Sequence, residues 1–123
     1  MHSKKIKKIY YLETCSTCKR IIKEINPNSE VEMQDIKSSP ITGSQLKGMA
    51  DLAGSYENLF SRRAMKYKSL GLSEKNLTEA DYKNYILEEY TFLKRPVIIV
   101  DNEIFVGNAS KTIEKAKEAI NNK

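Results

Sequence analysis

Two cysteines stand three positions apart near the N-terminus, in the string Tyr11-Leu-Glu-Thr-Cys15-Ser-Thr-Cys18. If a helix begins there, both sulfurs face one side of its first turn, because residues three apart are neighbours on a helix surface. A thiol is a strong nucleophile only as the thiolate, and a helix start favours that anion through its unpaired N–H groups and aligned peptide dipoles. Cys15 sits at the predicted start. Lys19 and Arg20, one turn on, add positive potential, and Glu13 opposes them from two residues upstream. The chemistry this spacing allows is attack by Cys15 and closure of a Cys15–Cys18 disulfide, with Cys18 as the resolving thiol. Core packing accounts for Cys18 equally well, since it shares an apolar stripe with Ile21, Ile22 and Ile25 and free cysteine is among the most buried residue types. Cys15 precedes that stripe, and packing gives no reason for it to be there.

Anion recognition would have to come from few residues. Of 21 Lys+Arg, the arginines are Arg20, Arg62, Arg63 and Arg95, and only arginine offers a planar, bidentate fork. Arg95 precedes Pro96 and is therefore held extended. If the strand that follows lies beside the cysteine helix, Arg95 projects near the sulfur, where it lowers the thiol pKa or holds an oxyanion. Arg62 and Arg63 fall at the start of a helical stretch, and pattern alone reads them as a solvated face.

Composition narrows the classes. The formal charge of +5 comes from 21 cations against 16 Asp+Glu, and residues 1–23 hold seven of those cations against Glu13 alone, which is more than the whole excess. A uniformly basic nucleic-acid coat is not expected. Lys4, Lys5, Lys7 and Lys8 read as a solvated terminus and strand edge. The 7 tyrosines raise base stacking as an idea, but Tyr82 and Tyr85 read as helix core and Tyr10 and Tyr11 as strand residues. Two cysteines are too few for a secreted disulfide framework, and with His2 they cannot complete a four-ligand zinc site, so no metal is expected. No run of eighteen apolar residues occurs, and the start lacks a signal-peptide pattern. The expectation is a cytoplasmic protein with reduced thiols and no membrane association. The 123 residues, 40% hydrophobic, fit one domain over 1–123.

The elements that must position the cysteines follow from periodicity. Ile6–Leu12 is a β-rich run that ends at a polar break, and the stripe of Cys18, Ile21, Ile22 and Ile25 gives a helix that stops before Asn26-Pro27. Val31 and Met33 alternate with Glu30, Glu32 and Gln34 as a half-buried strand. Thr42 and Gln45 form a capping box, with Ile41 and Leu46 as its hydrophobic staple. Behind it the stripe Leu46, Met49, Ala50 and Ala53 ends near Gly54. A further helical stretch is predicted over Tyr56–Leu70, and Thr78–Asp81 opens a helix with Tyr82, Tyr85 and Ile86 on its apolar face. Val97–Val100 reads as a central strand, Ile104–Val106 as its hairpin partner, and Ala109, Ile113, Ala116 and Ile120 as the stripe of a terminal helix. This order, β-α-β, helices, β-β-α, is an α/β thioredoxin-like fold with a helical insertion and a small mixed sheet. A Cys-x-x-Cys at the first strand-to-helix junction and an Arg-Pro before the third strand, where such folds place a cis proline facing the cysteine, both agree with it.

Taken together, Tyr-Leu-Glu-Thr-Cys15-Ser-Thr-Cys18-Lys-Arg, Leu59-Phe-Ser-Arg-Arg63 running to Leu70-Gly71-Leu72, Phe92-Leu-Lys-Arg95-Pro96 and Val106-Gly107 resemble the family of glutaredoxin-linked arsenate reductases and Spx transcriptional regulators. The resemblance implies Cys15 as the reactive cysteine, with Arg63 and Arg95 lining an anion site beside it. Those reductases usually have one cysteine at this junction, so the catalytic set here is Cys15 and Arg95 with Cys18, from its spacing, as resolving thiol. The resemblance further implies that Arg63, Pro96 and Thr14 line the substrate site, and that glutathione, a glutaredoxin or a thioredoxin serves as reductant. Those reductases carry a third arginine where this chain reads Ile104-Phe-Val-Gly107-Asn108, and often a histidine where Tyr11 stands. Weak or absent arsenate turnover is therefore expected. Three readings follow. The first is a thiol oxidoreductase acting on an oxidised sulfur or an oxyanion such as arsenate. The second is an Spx-type redox-sensing regulator that binds RNA polymerase. The third is an interaction domain with a vestigial site.

Overall fold

The structure is a computed structural model and describes residues 6–121. Two compact units make it up: residues 6–39 with 95–121, and Pro40–Lys94.

The first unit is a sheet with helices. Its elements are β1 (Lys7–Tyr11), α1 (Ser16–Ile25), β2 (Glu32–Asp35), β3 (Val97–Val100), β4 (Glu103–Val106) and α5 (Ser110–Asn121). The sheet order is β2-β1-β3-β4, with β1 parallel to β2 and antiparallel to β3, and β3 antiparallel to β4. This is the predicted small mixed sheet. Val97–Val100 becomes an interior strand because its β-branched side chains suit burial on both faces, and Val97, Ile98 and Val100 are buried. The β3–β4 hairpin turns through Asp101 at φ 53, a left-handed conformation that Asp tolerates. Asp101 Oδ1 also accepts the Ile6 N–H at 2.8 Å. The core gathers Ile9, Ile21, Ile25, Val31, Ile98, Val100, Ile113, Ala116 and Ile120.

Three expectations for this unit are corrected. Met33 is 37% exposed and the burial of β2 does not alternate, since the strand lies at the sheet edge. Ala109 is exposed and falls just ahead of α5. Lys7 and Lys8 do not simply face water: Lys7 Nζ donates to the Ile120 carbonyl at 2.7 Å, near the end of α5. Lys8 pairs with Glu32 at 2.9 Å across β1 and β2 and lies over the Tyr10 ring. Lys4 and Lys5 lie outside the described residues.

The second unit is helical: α2 (Gly43–Ala53), α3 (Met65–Ser69) and α4 (Glu79–Glu88), joined by short 3-10 turns. The capping box expected at Thr42 forms in full, and the structure adds a second at Thr78. Thr42 Oγ1 accepts the Gln45 N–H while Gln45 Oε1 accepts the Thr42 N–H, and Thr78 and Asp81 do the same at α4. Gly54 ends α2 at φ 98, where a side chain would be strained. The predicted helix over Tyr56–Leu70 is broken instead. Glu57–Leu59 is a 3-10 turn, Phe60 forms an isolated antiparallel bridge with Leu93, and only Met65–Ser69 is α-helical. The cause is tertiary: Phe60 stacks on Phe92 at 5.0 Å between centroids and meets Tyr82 at 4.9 Å. Ser61 N–H also donates to the Phe92 carbonyl at 2.7 Å. Among the described residues no helix is long and apolar enough to cross a membrane.

Candidate active site

The site is built where β1 ends. Leu12 is buried and closes a turn whose Cys15 N–H donates to the Leu12 carbonyl at 3.0 Å. That turn carries Glu13 and Thr14, both exposed, and delivers Cys15 as the extended N-cap residue of α1. Cys15 is half-buried and Cys18 fully buried, and both are free thiols. The helix then runs to Asn26, whose left-handed φ of 51 and N–H bond to Ile22 terminate it.

The two thiols are driven apart in acidity. Burial opposes the Cys15 thiolate, but the Cys18 N–H, the Cys18 thiol, the Thr17 N–H and the Arg95 charge together hold its pKa below the ordinary thiol value. These donors act at the sulfur although no cap hydrogen bond closes on the Cys15 side chain. The Thr17 and Cys18 N–H groups among them are orphans of the first turn, the groups a helix start offers to an anion. Cys18 is pushed up to about 11, first by burial and then by the neighbouring Cys15, against the Leu12 N–H and Arg95. Arg95 is the cation acting on both sulfurs. Lys19 and Arg20 are exposed on α1.

Arg95 reaches this position through the chain's own geometry. The Arg95–Pro96 bond is cis, Pro96 is buried, and its carbonyl accepts the Gly107 N–H at 2.9 Å. Gly107 has φ 91 with open space where a Cβ would stand, so conformation rather than room calls for glycine there. The Arg95 Nε is shielded from solvent, where a guanidinium charge is felt more strongly than in water. The first unit thus brings together Cys15, Cys18, Arg95, Pro96 and the exposed Thr14. Arg63 belongs to the second unit, exposed on the turn before α3, where its N–H meets Ser61 Oγ. Its neighbour Arg62 is not a bare solvated residue: it donates to Glu57 at 2.9 Å and to the Tyr82 hydroxyl at 3.1 Å.

Sequence reasoning missed Asp35. The residue ends β2, directly across from Tyr11 in the parallel register, and Asp35 Oδ1 accepts the Glu13 N–H at 3.2 Å. Only the expected end of β2 next to the end of β1 could have pointed to it.

A four-stranded mixed sheet with a dithiol at its first strand-to-helix junction and a cis Arg-Pro before the third strand defines a thioredoxin-like domain. The ArsC family model matches residues 10–116, and the chain belongs to that family. Solved structures share the fold. A candidate ArsC-family-related protein from Bacteroides fragilis is 26% identical, with a TM-score of 0.72 over 89% of this chain and 96% of its own. The YFFB (PA3664) protein, 20% identical, reaches 0.74 over 89% and 97%. An arsenate reductase from Vibrio cholerae, 17% identical, reaches 0.71 over 95% and 99%. No curated protein matches the chain.

Proposed function

We propose that the chain is a thiol oxidoreductase of the arsenate-reductase type, working in a reducing cytoplasm. The observation that carries this reading is the placement of the pair: a half-buried Cys15 at the head of α1, its pKa held below the ordinary thiol value, beside a fully buried Cys18, with the Arg95 charge acting on both.

The Cys15 thiolate attacks one sulfur of an oxidised substrate disulfide, forms a mixed disulfide and releases the other sulfur as a thiolate. Cys18 then gives up its proton and attacks the Cys15 sulfur. The substrate leaves as its second thiol, reduced by two electrons, and the protein holds a Cys15–Cys18 disulfide. With arsenate the first step forms an As–S bond with loss of water, and attack of Cys18 on Cys15 releases arsenite by the same two-electron balance. Glutathione, a glutaredoxin or a thioredoxin supplies the two electrons that restore the dithiol. Arg95 stabilises the charge at Cys15, and Thr14, Pro96 and Arg63 are assigned to substrate binding on the family resemblance. The region Ile104–Asn108 offers no further arginine, and an anion clamp short of one charge-assisted hydrogen bond loses about 1.5–3 kcal/mol. Sulfur substrates are therefore preferred over arsenate.

Mild peroxide followed by intact mass measurement tests the resolving step. The wild type is expected to lose two hydrogens, and Cys18→Ser to accumulate a sulfenate or a mixed disulfide. An oxidised wild type without an internal bridge overturns the role of Cys18.

A further inference from the structure

The carboxylate of Asp35, at the end of an edge strand, accepts from two amides and a hydroxyl. Asp35 Oδ1 takes the N–H of Glu13 at 3.2 Å and that of Lys37 at 3.3 Å, and Oδ2 takes the Ser38 hydroxyl at 3.0 Å. One of these bonds is not like the others. Lys37 and Ser38 lie in the turn that follows Asp35 itself, an arrangement typical of a local Asx turn. Glu13 is 22 residues away and belongs to the turn Leu12–Cys15, the segment that sets Cys15 at the head of α1.

The backbone around this bond is otherwise fixed. Ile36 N–H donates to the Tyr11 carbonyl at 2.9 Å, continuing the β1–β2 ladder past Asp35, and Cys15 N–H donates to the Leu12 carbonyl. The turn is thus held at both ends by backbone bonds, while the exposed residues between them have one side-chain anchor, at Glu13. A turn amide left to water would let the loop sample conformations that carry Cys15 away from the N–H groups of Thr17 and Cys18.

We propose that Asp35 is a positioning residue for the reactive cysteine, clasping the Glu13 amide so that the Cys15 sulfur stays over the first turn of α1. This rests on the reading of Cys15 as the reactive thiol and adds the group that holds its loop. The N–H groups of Glu13, Lys37 and Ser38 and the Ser38 hydroxyl outweigh the partial burial that opposes the carboxylate, and hold its pKa below the ordinary Asp value. The clasp is therefore an anion accepting from an amide, the stronger kind of hydrogen bond.

The position also predicts a sign. If Asp35 acted on Cys15 by its charge, removing that charge would favour the thiolate and speed the reaction. If it acts by holding the loop, removing the acceptor slows it.

The test is the rate at which iodoacetamide alkylates Cys15 at pH 7, resolved from Cys18 by peptide mass spectrometry, in the wild type, Asp35→Ala and Asp35→Asn. Asp35→Ala is expected to react between about two- and tenfold more slowly, the ratio that one net hydrogen bond represents. Asp35→Asn keeps an oxygen acceptor and is expected to recover most of the rate. An Asp35→Ala rate equal to or above wild type overturns the proposal, as does equal slowing in both variants. A measurement without substitution guards against misfolding: the exposed Glu13 amide in the wild type should be protected from hydrogen exchange, and free exchange there overturns the clasp. Failure of the oxidoreductase reading would appear as absent turnover with these rates intact, so the two outcomes are separable.

Discussion

The two units treat their charged and aromatic groups differently. In the second unit nearly every described feature holds that unit together. Arg62 is spent on Glu57 and Tyr82, Lys66 on Glu89 at 2.7 Å, Glu79 on the N–H groups of Tyr56 and Glu57, and Phe60 on a cluster of rings. In the first unit the apolar core does most of that work, with Lys7, Lys8 and Asp101 adding polar ties away from the site, and Arg95 and the N–H groups heading α1 act on a sulfur. The contrast separates an apparatus for stability from an apparatus for reactivity, and it explains why Arg62 and Arg95, both arginines beside turns, do such different things.

Substitutions can break this contrast, and the largest effect belongs to the ring cluster. Phe60→Ala should cost about 3–5 kcal/mol of unfolding free energy in urea, because Phe60 is fully buried against Phe92 and Tyr82. A loss below 1 kcal/mol would show that the cluster is not what holds the second unit.

Next comes alkaline stability, where the first unit should show its thiol. Cys18 keeps its proton in the folded chain up to about 11, whereas an unfolded thiol gives it up near about 8.5. Its contribution is fully present below the unfolded value and is lost as pH rises through the folded one, since the folded state then binds more protons than the unfolded. Urea unfolding of Cys18→Ala between those limits should show a shallower decline than the wild type. Equal slopes would contradict the burial argument. Smallest are the helix caps: Thr42→Ala and Thr78→Ala should each cost about 1 kcal/mol and leave Cys15 alkylation unchanged.

What could be read from the sequence was mostly local. The capping box at Thr42, the helix start at Thr78, the stop at Gly54, the strand Val97–Val100 and the position of Cys15 each depend on a few adjacent residues, and each appears as expected. What could not be read depends on partners far along the chain. Phe60 breaks its helix because of Phe92 and Leu93, Lys7 finds the end of α5, and Asp35 meets an amide 22 residues back. Periodicity carries no signal for such pairings. At the site, the cysteines and Arg95 stood out because their residue types have few other reasons to occur there, whereas an Asp closing a strand looks like any turn residue.

The central claim is that one thiol of the pair is held as the nucleophile and the other in reserve. Ultraviolet absorbance of thiolate against pH tests it directly on the wild-type dithiol, whose two steps belong to the coupled pair. The account predicts a first step below the ordinary thiol value, removed by Cys15→Ser, and a second near about 11. A single step in which both thiols ionise together near about 8.5 would contradict it.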